Sequence, residues 1–402
     1  MRARFATALL MCVCCKQTPR SAPDAALPAA APAGDVSVID AADSAARAIS
    51  PAPEPMTPLG DAGVSACKLV MGPARQLWHG PPALDVSPDG VRVAFNTEAG
   101  AMVAAVARVN VPPSPFVGTG RRGASPPCAF AGKHVFCMDA AGGVHRRDVA
   151  TGGDAMVAQA RAGTRIGASV VGGHELLAFV REGKTTEGET LEAWLWSDDG
   201  KTQRLSDDGS GATFVALAPR GEGGLAVMLD ARSAMTPVHA RTVTWNDRAI
   251  LGPDAVVFLG GGAEPHTRAA LAVTSAGAAT VLLPIAHDLA FGLAVARVDV
   301  VPRTDSAATW TDYDNGLDPA PVAATVGAAR SLVARVIPLG KKPHAPRAIE
   351  LGRVTDGGVF VSLGIVPTHG DPADVAVAAD GSALVLAYMD QGGTWIERRI
   401  CP

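Results

Sequence analysis

The stretch Ala83-Leu-Asp-Val-Ser-Pro-Asp-Gly-Val-Arg-Val-Ala-Phe95 decides how the chain is read. Leu84 and Val86 flank a polar Asp85, Ser-Pro-Asp-Gly supplies turn residues, and Val91, Val93 and Phe95 alternate again. That is the pattern of two short antiparallel strands around a tight turn. The outline returns in Asp374-Val-Ala-Val-Ala-Ala-Asp-Gly-Ser-Ala-Leu-Val-Leu-Ala-Tyr388. Weaker copies run from Cys128 to Met138, Ala168 to Val180 and Phe214 to Leu229, with turns at Gly132, Gly172 and Gly221. Starting at Gly90, the turn glycines advance by 42, 40 and 49 residues. One four-stranded blade of a radial array takes about 40 to 50 residues, so Cys67 to Cys401 holds roughly seven. The expected fold is all-β: a β-propeller, with seven four-stranded blades closed by the N- and C-terminal strands. Six or eight blades, or a pair of β-sandwiches, are the alternatives, because Gly260 to Arg347 blurs the period.

The Ser-Pro-Asp-Gly turn followed by Val-Ala-Phe resembles the repeat of TolB-like propellers, a WD40-like group. Trp194-Leu-Trp-Ser-Asp-Asp-Gly-Lys-Thr-Gln-Arg-Leu-Ser206 is similar to the outer part of such a blade, a strand meeting an Asp-Gly-Lys turn and then Leu-Ser. What the resemblance implies is the propeller fold. The other repeats lack Pro-Asp-Gly, and no Trp-Asp dipeptide occurs.

The rest of the sequence fits one ring better than several domains. The chain has 402 residues, 48% hydrophobic but only 4% aromatic, with 44 Gly and 31 Pro. Ala and Val must therefore fill most of the space between strands. A formal charge of -4 and no Lys/Arg run longer than two leave no basic track for nucleic acid.

The amino end reads as an address. Arg2 and Arg4 precede an apolar run from Phe5 to Val13, too short to span a bilayer and suited to a secretory signal over 1–15. Cys12, Cys14 and Cys15 close that run, where a bacterial lipoprotein-like signal places its lipidated cysteine, and all three are candidates. Residues 16–66 follow with eight prolines and no aromatic residue. That composition cannot offset its ordering entropy and is expected to be a disordered tether, leaving 67–402 as the propeller.

Outside the signal lie Cys67, Cys128, Cys137 and Cys401. An even number in an exported chain argues for disulfides. A two-residue turn at Gly132-Lys133 sets Cys128 opposite Cys137 in a close, non-hydrogen-bonded pair. Cys67 and Cys401 are left to each other, at the two ends of the repeat region.

Enzyme motifs are wanting. No Gly-x-Ser-x-Gly elbow occurs, and Gly118-Thr-Gly-Arg-Arg-Gly123 runs into Ala-Ser-Pro-Pro instead of a helix. The nine histidines never come within five residues of one another and read as surface or blade-edge residues. The most distinctive loop groups Trp310, Asp312, Tyr313, Asp314, Asn315 and Asp318, as a contact loop or an Asx-type turn; its order departs from a calcium loop. No catalytic, cofactor-binding or metal-binding residue is assigned, and no cofactor is expected. The expectation is a lipid-anchored, non-catalytic platform for protein or peptide partners on the periplasmic or outer face of a bacterial membrane. It meets the membrane only through its anchor and does not bind nucleic acid. The alternative is a propeller lyase or hydrolase acting on envelope glycans from residues scattered around the central channel.

Overall fold

The computed structural model describes residues 66–71, 84–86, 92–97, 100–105, 114–115 and 128–402. Within the last span it omits 140, 186–187, 208–210, 231–236, 259–263, 266–268, 288–289, 299–307, 312–320, 340–344, 356–357, 367, 369, 381–382 and 391–392. Every described element is a β-strand, and among the described residues the strands form seven sheets. Sheet I holds Leu84–Val86, Arg92–Thr97, Gly100–Ala105 and Ser114–Pro115, in that order from the inside outward. Sheet II holds Cys128–Ala131, His134–Met138, Gly143–Asp148 and Asp154–Gln159; sheet III holds Gly167–Val171, His174–Thr185, Gly188–Ser197 and Thr202–Arg204. Sheet IV contains Ala212–Arg220, Gly223–Asp230 and Val238–Trp245, whose outer edge is shared by Ala249–Leu251 and Ala255–Phe258. Sheet V is built on Ala270–Thr274, Ala279–His287, Ala290–Arg297 and Ala308–Thr311; sheet VI on Val322–Ala324, Ser331–Pro338, Arg347–Val354 and Phe360–Val366. Sheet VII takes Asp374–Asp380, Ala383–Asp390 and Gly393–Ile400 from the end of the chain, and Lys68–Met71 from its beginning as the outermost strand.

The first strand of each sheet touches the first strand of the next, and Leu84–Val86 touches Asp374–Asp380, so the ring closes. The fold is a β-propeller. Its seal is the pairing of Lys68 with Ile400 and Leu69 with Arg399, the terminal-strand closure expected from the sequence.

The core lies in the seams between sheets. Phe136, Met138, Leu177, Phe179 and Trp196 fill the seam between II and III, where Phe136 meets Trp196 edge-on at 5.8 Å. Leu176, Leu195 and Met228 fill the seam between III and IV, Phe214, Leu229 and Val281 the next, and Leu386, Tyr388 and Ile349 the seam between VI and VII. Each such side chain contributes roughly 1.5–3 kcal/mol by leaving water. Ala129, Ala178, Ala226, Ala334 and Ala387 are also buried there, and their small size lets neighbouring sheets come close. At Gly167 the backbones of neighbouring sheets come close, and a Cβ would stand 2.8 Å from the backbone nitrogen of Leu217.

The turn glycines behave as the pattern requires. Gly132, Gly172 and Gly221 each have positive φ in the turn between the first two strands of sheets II, III and IV. The blurred period after Gly260 also has a physical cause. Sheet V gains Glu264–Pro265 on one side, and Val326–Ala328, from the first turn of sheet VI, adds to it in parallel. Among the described residues these pairings have no counterpart in the other repeats.

Candidate functional site on the turns of sheets II to IV

Among the described residues, a dense group of polar side chains sits where the first hairpin turns of sheets II and III meet. Tight turns put His134 two residues after Gly132 and His174 two residues after Gly172, the same place in consecutive repeats. His134 is buried, and its Nδ1 lies 2.5 Å from Oε1 of Glu175 on the neighbouring sheet. The other oxygen of Glu175 accepts from Nε and Nη2 of Arg146 at 2.8 and 2.7 Å. On its far side His134 has Nε2 3.7 Å from Asp148, which Lys133 reaches at 3.2 Å. Hydrogen bonds from the backbone of Thr151 and from Lys133 hold the Asp148 carboxyl far below the usual range.

The contacts continue into sheet IV. The backbone N–H of Glu175 donates to Asp198, whose other oxygen lies 3.0 Å from Nδ1 of His174. The His174 ring stacks on Trp245 with centroids 3.7 Å apart and planes 14° from parallel. Beside it the turn Ser197 to Lys201 is fixed by Asp199, whose carboxyl is lowered to about 2 by the Ser197 hydroxyl and Lys201. Within the network the carboxylates are taken up by histidine, arginine, lysine, serine or backbone donors. Such a network positions groups and presents a half-exposed His-Trp stack beside the exposed Lys133.

Cys67 and Cys401 stand at disulfide distance with Cα atoms 4.1 Å apart, as do Cys128 and Cys137 at 4.2 Å. Cys128 and Cys137 are also register partners, as the turn count requires. Cys12, Cys14 and Cys15 lie outside the described residues, and so do Asp312, Tyr313, Asp314, Asn315 and Asp318 of the distinctive loop. Trp310 belongs to the strand Ala308–Thr311. Of the other tryptophans, Trp196 is core, Trp194 carries the Arg181 guanidinium 3.3 Å over its ring, and Trp395 donates its indole N–H to Asp390.

One histidine, His134, departs from its sequence reading. His134, His145, His174 and His239 each face a carboxylate, and His134 is interior instead of a blade-edge residue. Glu175 lies 41 residues from His134 and 29 from Arg146, so local spacing carried no sign of the cluster. The one available signal was the recurrence of His two places after the turn glycine.

Comparison with known proteins supports the fold. No protein-family model matches the chain, and no curated protein matches it. Among solved structures, the chain is similar to the WD40 repeats of RRP9 (TM-score 0.52, 12% identity, covering 83% of this chain and 99% of that one). It is also similar to a chain of a mitotic checkpoint complex (TM-score 0.51, 12% identity, 85% and 97%) and to U3-55K (TM-score 0.50, 14% identity, 83% and 98%). At this identity the likeness is one of architecture: the chain has the β-propeller fold that these structures share.

Proposed function

We propose that this protein is an exported, lipid-anchored propeller, with each sheet one blade, that serves as a non-catalytic platform for protein or peptide partners in a bacterial cell envelope. The observation that carries the reading is where the chain joins the ring. Lys68–Met71 is the outermost strand of sheet VII, so the described chain enters the ring at its perimeter. A ring held by its rim keeps both faces available to partners. The half-exposed His174-Trp245 stack and the exposed Lys133 offer one such contact area, with aromatic and charged groups of the kind that anchor interfaces. A chain of the same fold sits in a mitotic checkpoint complex, which accords with an assembly role.

The test is recovery of partners from detergent-solubilised envelopes with the full-length protein, paired with the variant His174→Ala/Lys133→Glu. Partners enriched by the wild type and lost by the variant support the reading. Background-level recovery with both, or turnover of envelope glycans by the purified protein, overturns it. Mass spectrometry of the mature amino terminus reads the anchor separately: a diacylglycerol-bearing cysteine at position 12, 14 or 15 is expected.

A further inference from the structure

Sheets III and VII are not neighbours. Sheets I and II separate them one way around the ring, and IV, V and VI the other. Even so, Nη2 of Arg165, two residues before the inner strand of III, lies 3.8 Å from Oδ1 of Asp374, the first residue of the inner strand of VII. Asp374 is almost wholly buried, and the same oxygen accepts the N–H of Val375. In each sheet the chain runs outward through antiparallel strands and returns to start the next inner strand at the same end of the ring. Arg165 and Asp374 therefore meet across the axis, at the end where inner strands begin.

The opposite end is crossed as well. Between Val322–Ala324 and Ser331–Pro338 the chain does not turn back at once, and Val326–Ala328 pairs in parallel with the inner strand of sheet V. The N–H groups of Val273 and Ser275 donate to the carbonyls of Thr325 and Ala328 at 3.3 and 2.8 Å. This side of Ala270–Thr274 is the inward edge of the sheet, since its outward edge pairs with Ala279–His287. Thr325 is fully buried, and its hydroxyl accepts the N–H of Leu332 at 3.0 Å. The short strand also touches the inner strands of IV and VII, which are likewise not neighbours.

We infer that this ring is braced across its own axis at both ends, by the Arg165-Asp374 pair and by the 325–330 turn, and that these braces hold the ring shut without the Cys67-Cys401 link. The inference is independent of the proposed function. A disulfide acts mainly by restricting the unfolded chain. The braces instead join sheets of the folded ring that share no seam, so they resist opening at whichever seam is weakest. Each costs backbone or charge placement that a hollow axis does not need. Removing the Arg165 guanidinium takes away a positive charge that faces a buried carboxylate, which weakens that carboxylate's placement.

The experiment measures amide hydrogen exchange at the seam between VII and I, in Leu84–Val86 and Asp374–Asp380, for four full-length proteins. These are the wild type, the link variant Cys67→Ser/Cys401→Ser, the brace variant Arg165→Met with Val326-Gly-Ala-Ala329 replaced by Gly-Gly, and the combination. The link variant is expected to keep seam exchange within about threefold of wild type, and the combination to exchange at least roughly tenfold faster than either. Seam exchange as fast in the link variant as in the combination overturns the inference. If the shortened turn prevents folding, Arg165→Met and Arg165→Lys in the link variant read the same effect. Met must then speed seam exchange and Lys must not, and equal exchange for the two overturns the ion-pair brace.

Discussion

Nδ1 of His239 lies 2.6 Å from Oδ2 of Asp254, across the break in the outer edge of sheet IV. Gly252-Pro253-Asp254 interrupts the edge between Ala249–Leu251 and Ala255–Phe258, and the break turns Asp254 toward His239. A Cβ on Gly252 would stand 2.1 Å from the Thr242 hydroxyl, which would have to turn aside to admit it. The hydrogen bond that His239 donates to Asp254 raises the His239 pKa above 6.5 against the opposing effect of burial. Burial pushes the Asp254 carboxyl up, but the hydrogen bond and charge of His239, with Arg241, outweigh it and leave the pKa below 3.8.

The pair therefore sets a pH window. The raised histidine contributes stability that is complete below about pH 6.5 and is lost as pH rises through its folded pKa. The lowered carboxylate contributes above about pH 3.8 and fades as pH falls through its own. Calorimetry at pH 5.5 and 8.5 should show that His239→Gln removes about 1–3 °C of the wild-type difference in melting temperature. An unchanged difference refutes the coupling.

Gly167 is expected to tolerate no side chain. An added methyl would press on the backbone of Ala216 and Leu217 between the inner strands of III and IV, where neither rigid strand can yield cheaply. Gly167→Ala should cost about 1–3 kcal/mol in urea unfolding, whereas Gly221→Ala, with open space around it, should lose only what its positive φ imposes.

Sheet VI contains a buried ion pair suited to a double-mutant cycle. Arg335 Nε lies 2.6 Å from Oε2 of Glu350, its register partner, and its guanidinium rests 4.6 Å from the Phe360 ring centroid. Glu350→Ala should destabilise by about 3 kcal/mol because it leaves a buried charge alone, while Arg335→Met with Glu350→Leu should come much closer to wild type. Equal losses for the single and double variants contradict the pairing.

The cysteines make the fourth prediction. Intact mass should rise by four hydrogens on reduction under denaturing conditions. In urea unfolding, removing the Cys67-Cys401 link should cost about 6 kcal/mol of global stability in the chain-entropy model, through the unfolded chain and not through opening of the seam, and the short Cys128-Cys137 loop about 3. No mass change excludes both links.

Much of this architecture was legible because propeller hairpins are local. Gly132, Gly172 and Gly221 sit at turns that require their backbone freedom, and alternation around them fixed which residues face the seams. The pairing of Cys128 with Cys137 followed from counting back from one turn. The seal between Lys68 and Ile400 could be reasoned from ring closure, with the cysteines marking both ends. What stayed hidden was long-range. Arg165 and Asp374 meet through the ring's geometry across 209 residues, and Val326–Ala328 joins sheet V by leaving the repeat that produced it. Glu175 similarly serves a histidine of the preceding sheet, an arrangement set by packing and not by sequence spacing.

The adjacency of Cys67 and Cys401 makes the starting point of the ring arbitrary in a physical sense. Their Cα atoms are 4.1 Å apart, about the length of one peptide step, so a short linker could join them. The chain could then be cut at an exposed turn such as Ala150 to Gly153 in sheet II, with every strand keeping its neighbours. Under the proposed anchoring, a circularly permuted protein of this kind would carry residues 1–66 on a different part of the rim. It would turn the ring about its axis relative to its attachment point, and so offer a way to learn which sector must face outward for the protein to work.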